Sequence, residues 1–225
     1  MFNIKYFEAV ESTMDIAREN PIHGNIIQAG EQLSGRGRRG NQWSSPKGNL
    51  YQSIILQPKS PKQSWGQLSF VIAVALSKTC EGLGVNHYQL KWPNDVLIDN
   101  RKLAGILIEV LGDFVIVGTG INIQHAPDDK CKINDFCDVT VNEFRDLFLI
   151  QITKYFKVWE EEGFPSIRNL WMKHAYRLGE EIQARLPNIT YDGVFEDLDN
   201  NGILLLREKD GNLRQINSGE ILVCS

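Results

Sequence analysis

Lys91-Trp92-Pro93-Asn94-Asp95, followed closely by Arg101-Lys102-Leu103-Ala104-Gly105 and an aliphatic run to Glu109, leaves the chain few ways to fold. Gln89 to Trp92 reads as a short strand broken by Pro93, Val96 to Ile98 as a second strand, and Asp99-Asn100-Arg101 as the turn into a third, Lys102 to Val110. Proline cannot donate to a strand ladder, so Asn94 and Asp95 are expected to leave the sheet where an amide and a carboxylate can face a ligand together. The turn then returns Lys102 to the same end of the sheet, followed by Ala104-Gly105, small enough for a ligand to lie against the backbone. Taken singly, each of these residues reads first as part of a solvated hairpin. Their convergence is what makes a candidate site.

A second segment has an unusual charge pattern. The chain is acidic overall, with a formal net charge of -4, yet no Asp or Glu occurs from Gln32 to Cys80. That span holds Arg36, Arg38, Arg39, Lys47, Lys59, Lys62 and Lys78, and a wholly cationic segment inside an acidic protein points to an anionic ligand rather than to general nucleic-acid binding. Within it, Ser34 to Trp43 carries Gly35, Gly37 and Gly40 between arginines. The glycines let the backbone wrap a ligand, and the guanidinium groups offer forks of donors to carboxylate or phosphate oxygens. By itself such a loop is more often a flexible solvated surface loop or a single-stranded nucleic-acid contact. Three glycines and mutually repelling arginines predict a loop that is mobile until a ligand arrives.

Around these segments the chain alternates strands and helices. Phe2 to Phe7 is an opening strand; Ser12-Thr13-Met14-Asp15 has the form of a capping box before a helix over Thr13 to Glu19. Strands follow at Asn25 to Leu33 and Asn49 to Leu56, and Ser60-Pro61 opens a helix to about Gly82. Asp113 to Ile123 is a strand containing Gly118-Thr119-Gly120-Ile121-Asn122, which alone reads equally as a bulged strand. His125 to Val139 is polar and without a recognisable period. Helices are expected from Thr140 to the Glu160-Glu161-Glu162-Gly163 run and from Pro165 to His174. After Gly179 come five short strands separated by turn signals at Asp199 to Gly202 and Asp210 to Asn212. They predict a small barrel that leans on the larger domain, because about fifty residues make a marginal core. No signal peptide or membrane-spanning run is evident, and Cys80, Cys131, Cys137 and Cys224 are scattered, which suits reduced thiols in the cytoplasm. His125, Cys131 and Cys137 match no zinc spacing.

In this order, KWPND, RKLAGILIE, the Gly/Arg loop ending in Trp43, and the G-x-G-I-N segment closely resemble the signatures of the biotin protein ligases. The likeness extends to Ser218-Gly219-Glu220-Ile221, which resembles the family's G-G-E-[IV] segment with one glycine replaced, and so spans nearly the whole chain. It implies an α/β (α+β) fold: a mixed-sheet catalytic domain of the class II aminoacyl-tRNA synthetase type over residues 1–177, and a C-terminal SH3-like β-barrel over 178–225. It implies an enzyme that joins biotin to AMP at the expense of ATP, with Mg²⁺, and passes the biotinyl group to a lysine of a biotin carboxyl carrier protein.

By the same resemblance, Ser12, Thr13, Gln32, Gly35, Arg36, Lys102, Gly105 and Gly118 are assigned to biotin, and Arg38, Trp43, Asn94, Lys102 and Asn122 to ATP. Lys102, Arg38 and Asp95 are the catalytic candidates. Asp95 is assigned to the metal or, alternatively, to deprotonating the acceptor lysine. Met14 stands where family members usually have Asn. The first strand starts within a few residues of Met1, so no operator-reading helix-turn-helix, hence no DNA partner, and no membrane partner is expected. Two alternatives stay open: a lipoate or octanoate ligase, which needs a longer apolar tunnel, and an RNA-binding module resting on Arg36 to Arg39.

Overall fold

A computed structural model describes residues 2–223, so Cys224 lies outside the described residues. The chain begins β1 (Asn3–Val10), α1 (Thr13–Glu19), β2 (Asn25–Gln32), β3 (Leu50–Leu56) and α2 (Leu68–Gly82). It continues with β4 (Tyr88–Lys91), β5 (Asp95–Ile98), β6 (Arg101–Leu111) and β7 (Phe114–Ile121), then α3 (Val141–Glu162) and α4 (Phe164–Met172). These strands form one sheet in the order β1-β2-β3-β7-β6-β5-β4. Only β1 and β2 are parallel; every other pair is antiparallel, so the sheet is mixed.

The central strands are buried on both faces, which explains the aliphatic runs Ile54 to Leu56 and Val115 to Val117. On β3, Ile54 and Leu56 enter the main core with α2, α3 and α4, whereas Ile55 joins Ile27, Ile116, Met14 and Ala17 beneath α1. Helix α1 has only seven residues, so it covers only part of its face of the sheet. The opposite face carries α2 and the 22-residue α3, whose buried stripe is Phe144, Phe148, Ile152, Tyr155 and Trp159. Thr140 and Glu143 cap α3 reciprocally, the Glu143 N–H donating to Thr140 Oγ1 at 3.2 Å and the Thr140 N–H to Glu143 Oε2 at 2.9 Å.

Two local expectations are corrected. Ser12 and Asp15 do not form a capping box: Ser12 makes no side-chain cap, and Asp15 instead pairs with Arg18 at 2.8 Å and with Arg36. Two guanidinium groups outcompete one backbone N–H for a carboxylate. The helix expected from Ser60 begins as a 3₁₀ stretch, Lys62–Gln67, and turns α only at Leu68. Here Glu160 of α3 takes the Ser60 hydroxyl and the Lys59 and Ser60 N–H groups, and Trp65 Nε1 donates to Ser60 O at 2.9 Å, which holds that turn tight.

The C-terminal strands β8 (Glu181–Arg185), β9 (Thr190–Leu198), β10 (Leu204–Arg207), β11 (Leu213–Ile216) and β12 (Glu220–Val223) make an antiparallel sheet ordered β11-β10-β9-β8-β12. Its inward residues Ile182, Phe195, Leu204, Leu206 and Ile221 belong to the same core as α2 and α3. Trp92 Nε1 donates to Gly202 O at 3.0 Å, and Gly202 packs so closely on Phe70 that a Cβ would lie 2.7 Å from its ring. The small sheet therefore leans on the large one, as its size requires.

Asn49, just before β3, anchors the segment after β7. Its Oδ1 accepts from the N–H groups of Ile123, Gln124 and His125 at 2.8, 3.0 and 3.1 Å, and its Nδ2 donates to Tyr51 Oη and His125 O. Asn49→Ala would strand several buried polar groups, each costing about 1–3 kcal/mol. We predict a loss on the order of 3 kcal/mol in urea unfolding, a midpoint unchanged from the parent being the contrary result.

Candidate functional site

The site is a cavity of about 420 Å³ on the α1 side of the sheet, bounded by α1, the Gly/Arg loop, the β4–β5–β6 hairpins and β12. At the α1 end the Thr13 N–H and Oγ1 both donate to Gln32 Oε1, at 2.9 and 3.1 Å, and Thr13 Oγ1 shares a 2.7 Å hydrogen bond with Ser53 Oγ. Gln32 Nε2 continues the network to Ser45 Oγ at 3.0 Å. Ser12 Oγ lines the same cavity, buried and without a protein partner, an arrangement that calls for a polar ligand atom.

The Gly/Arg loop closes one wall, and its backbone makes hydrogen bonds of its own. Arg36 and Gln42 form an antiparallel bridge, the Gly37 N–H donates to Asn41 O at 2.7 Å, and the Trp43 N–H donates to Gly35 O at 2.9 Å. The expected repulsion is also relieved: Arg36 pairs with Asp15, while Arg38 Nη1 donates to Asn94 Oδ1 and to Gly219 O, both at 3.2 Å. Gly35 does not line the cavity; it lets the loop fold back, since a Cβ there would fall 2.4 Å from Trp43 O and 2.5 Å from Ser45 Oγ.

The β4–β5–β6 segment supplies the charged end. Asn94 leaves the sheet, its backbone and side chain both bonding Ile106 of β6, the Ile106 N–H donating to Asn94 O and Asn94 Nδ2 to Ile106 O, each at 3.0 Å. Its Oδ1 is thereby aimed at Arg38. Asp95, also expected to leave, instead opens β5, paired with Lys91 and Gly105. Lys102 Nζ and Asp95 Oδ2 pair at 2.8 Å, with only 28% and 18% of their side-chain surfaces exposed. Asp95 Oδ1 is buried and unpartnered. Burial, and then the neighbouring Arg39, lower the Arg38 pKa, so this guanidinium is a partly desolvated cation.

Glycines form the floor. A Cβ on Gly118 would lie 2.8 Å from Met14 Sδ, and one on Gly120 2.4 Å from Trp43 Nε1 and Cε2. Trp43 thus lies against Gly105 and Gly120 with its Nε1 buried and unpartnered, and the Nζ atoms of Lys102 and Lys130 stand 5.2 and 5.4 Å from its ring.

Comparison with known proteins gives this geometry its lineage. Residues 6–123 match the biotin/lipoate A/B protein ligase family, and residues 178–223 match the biotin protein ligase C terminal domain. A biotin–[acetyl-CoA-carboxylase] ligase of Paracoccus denitrificans is 37% identical over 204 residues, covering 82% of this chain and 85% of that protein. The chain belongs to the biotin/lipoate A/B protein ligase family. The biotin protein ligase from Aquifex aeolicus, solved in complex with biotin and ATP, superposes with a TM-score of 0.88 at 30% identity, covering 98% of this chain and 97% of that one. A Leishmania major biotin protein ligase in complex with biotinyl-5-AMP shares the fold at a TM-score of 0.68 and 24% identity, over 96% of this chain and 99% of that one.

Within this ligase the fold brings together Ser12, Thr13, Gln32, Arg36, Arg38, Trp43, Asn94, Asp95, Lys102, Gly105 and Gly118 around one cavity. Asn122 is a correction. It is buried and does not line the cavity; its Nδ2 donates to Cys131 O at 3.0 Å and Lys102 O at 3.5 Å, so it holds the backbone that carries Lys102. Sequence reasoning missed Lys91, Lys130, Gly219 and Glu220 as lining residues. Gly219 and Glu220 lay in a quoted motif whose distance from the site in sequence hid their nearness in space, and Lys130 lay in the patternless segment. Burial alone would raise the Glu220 carboxyl, but its hydrogen bond from Arg185 and the charges of Lys91 and Lys102 hold it below the ordinary range.

As for metals, no group of three His, Cys, Asp or Glu side chains converges among the described residues. Cys131 Sγ donates to Arg101 O at 3.2 Å, and burial pushes its thiol up to about 11, so it is no ready ligand. Asp95 fits a cation that arrives on a phosphate, because one of its oxygens is unpartnered at the cavity and a magnesium ion with its own phosphate and water ligands needs only one or two carboxylates.

Gly120→Ala is expected to lift Trp43 off the floor while leaving the antiparallel ladder intact. Nucleotide affinity should fall about tenfold or more, with far-ultraviolet dichroism unchanged. Calorimetric titration with a non-hydrolysable ATP analogue checks it, and parental affinity would show that the indole does not need the bare glycine.

Proposed function

We propose that the chain is an ATP-dependent biotin–protein ligase working in the cytoplasm, which makes biotinyl-5′-AMP and transfers the biotinyl group to a lysine of a biotin carboxyl carrier protein. The observation that carries this reading is one cavity with a neutral hydrogen-bonding end and a cationic end. Gln32, bonded to Thr13 at the start of α1, ends β2, and Lys102 is on β6, three strand spacings away, or about 14 Å between backbones. A ureido ring suits the first end, since the unpartnered Ser12 hydroxyl can donate to its carbonyl, and a carboxylate tail suits the second. A dithiolane ring would leave that polar end unsatisfied, which favours biotin over lipoate. Arg36, Arg38 and Arg39 line this one cavity, which favours a small anionic ligand over the RNA-binding alternative.

Chemistry at the cationic end follows from charge. A carboxylate must attack the α-phosphate of ATP, forming a C–O–P anhydride as the bond to pyrophosphate breaks, and both reactants are anions. Lys102 and Arg38 offset their repulsion, and because neighbouring groups already hold both, little reorganisation is needed at the moment of reaction. Mg²⁺ brought by the triphosphate would add charge neutralisation, with Asp95 as its protein ligand. Asn94 positions Arg38, and Trp43 offers an indole face to adenine once the lysines yield it. In the second half, the carrier amine attacks the acyl carbon and AMP leaves with the electron pair. Asp95, which lines the cavity, is a carboxylate that can accept the proton the amine sheds.

Incubation with ATP, Mg²⁺ and biotin, followed by mass detection of bound biotinyl-AMP, tests the reading directly. An adenylate formed from lipoate but not from biotin would sink it. Lys102→Ala is expected to lower adenylate formation by roughly 10²–10³-fold while biotin affinity falls much less. Rates within a few-fold of the parent would remove Lys102 from the role.

Arg38 links the loop to both Asn94 and the C-terminal sheet, so Arg38→Gly should loosen the wall that retains the adenylate. A released mixed anhydride acylates exposed amines. The variant should therefore label an unrelated lysine-rich protein with biotin where the parent does not; an unlabelled bystander, with adenylate still being made, counts against this retaining role.

A further inference from the structure

We infer that Lys130 is a second cation for the triphosphate of the nucleotide, seated beside Lys102 by a backbone bridge. The inference rests on the ligase reading and deepens it. Lys130 and Lys102 pair in an isolated parallel bridge, and the Cys131 N–H donates to Lys102 O at 3.1 Å. Asn122 clamps the same junction by donating to Cys131 O and to Lys102 O, and Asn49 fixes the segment upstream through three N–H groups. The position of Lys130 is thus set by buried hydrogen bonds, not by a loose loop. Its ammonium lies 5.4 Å from the Trp43 ring centroid, beside Lys102 at 5.2 Å, and it lines the cavity.

The charge arrangement says what Lys130 awaits. Lys102 is already paired with Asp95, and Arg36 with Asp15. Among the described residues Lys130 makes no ion pair; its one charge-compensating contact is the indole face. Two ammonium groups against one ring repel each other, and a ligand of several negative charges would relieve that repulsion where a single carboxylate would relieve only part of it. Of the reactants, the triphosphate is the polyanion. Adenine stacking on Trp43 would displace an ammonium from the ring face, and the fixed backbone leaves the phosphates within the sweep of the lysine side chain. Lys130 therefore distinguishes ATP from AMP, and its contact is given up when pyrophosphate departs.

Lys130→Ala and Lys130→Arg, in the full-length chain, test this. KM values for ATP and for biotin come from biotin-dependent pyrophosphate exchange, and dissociation constants for a non-hydrolysable ATP analogue and for AMP come from calorimetry. Losing one charge-assisted contact should raise the KM for ATP about tenfold, with the biotin KM changed by less than about twofold, AMP binding changed little, and Arg restoring most of the loss. An ATP KM within about twofold of the parent would overturn the assignment, as would Arg being as poor as Ala, or ATP and AMP weakening together, which would mark a collapsed segment. An active parent beside an unaltered variant defeats the Lys130 assignment alone. A parent without biotin-dependent exchange defeats the ligase reading and this inference with it.

Discussion

The ion pair between Lys102 and Asp95 is the interaction on which the rest of the site depends. Both side chains are mostly withdrawn from water, where an unpaired charge is expensive to hold, so each compensates the other and fixes it at the cavity. Their geometry comes from the β5–β6 hairpin, which sets Asp95 opposite Gly105 across the ladder and shifts register between Val96 and Leu97, two residues later. Asn94 then closes the hairpin edge on Ile106 and turns its remaining oxygen to Arg38. One short antiparallel unit thus orders a carboxylate, an ammonium and, at one remove, a guanidinium.

The sheet divides its two faces by length of helix. Long α2 and α3 bury one face in the main core, which supplies most of the apolar burial and so most of the stability. Seven-residue α1 covers the other face only near β2, β3 and β7, and the uncovered remainder is where the cavity lies. Side chains on that uncovered face would fill the space, so glycine stands at Gly105, Gly118 and Gly120. The G-x-G spacing is the strand period of two, which sends both bare positions to the same side.

Much of this was legible in the sequence because it is local. Strand alternation, the break at Pro93 and the Asp99-Asn100 turn located the hairpin and the sheet-forming segments, and the resemblance carried by the order of motifs located lining residues from Ser12 to Gly118. What escaped was set by contacts distant in sequence. The box expected at Ser12 was lost to Arg18 and Arg36, which no local pattern announces. Asn122 reads as a site residue from its motif, yet the fold spends its amide on two carbonyls behind the site. The partners of Arg38 in the Gly/Arg loop, Asn94 and Gly219, lie 56 and 181 residues away, beyond any local pattern. Lys130 has no periodic signal at all, since an isolated bridge involves one residue pair and leaves no pattern.

The seam between the two sheets has a thermal consequence. Trp92, at the start of the catalytic hairpin, is almost wholly buried and donates its indole N–H to Gly202 of the C-terminal sheet, whose inner residues join the main core. Melting the small sheet first would expose that tryptophan, leave its N–H without a partner and open apolar surface on α2 and α4. Local unfolding of that kind is costly, so the two sheets are coupled into one cooperative unit. On heating, the chain should absorb heat in a single peak whose calorimetric and van't Hoff enthalpies agree, and the catalytic hairpin should lose its structure in that same transition.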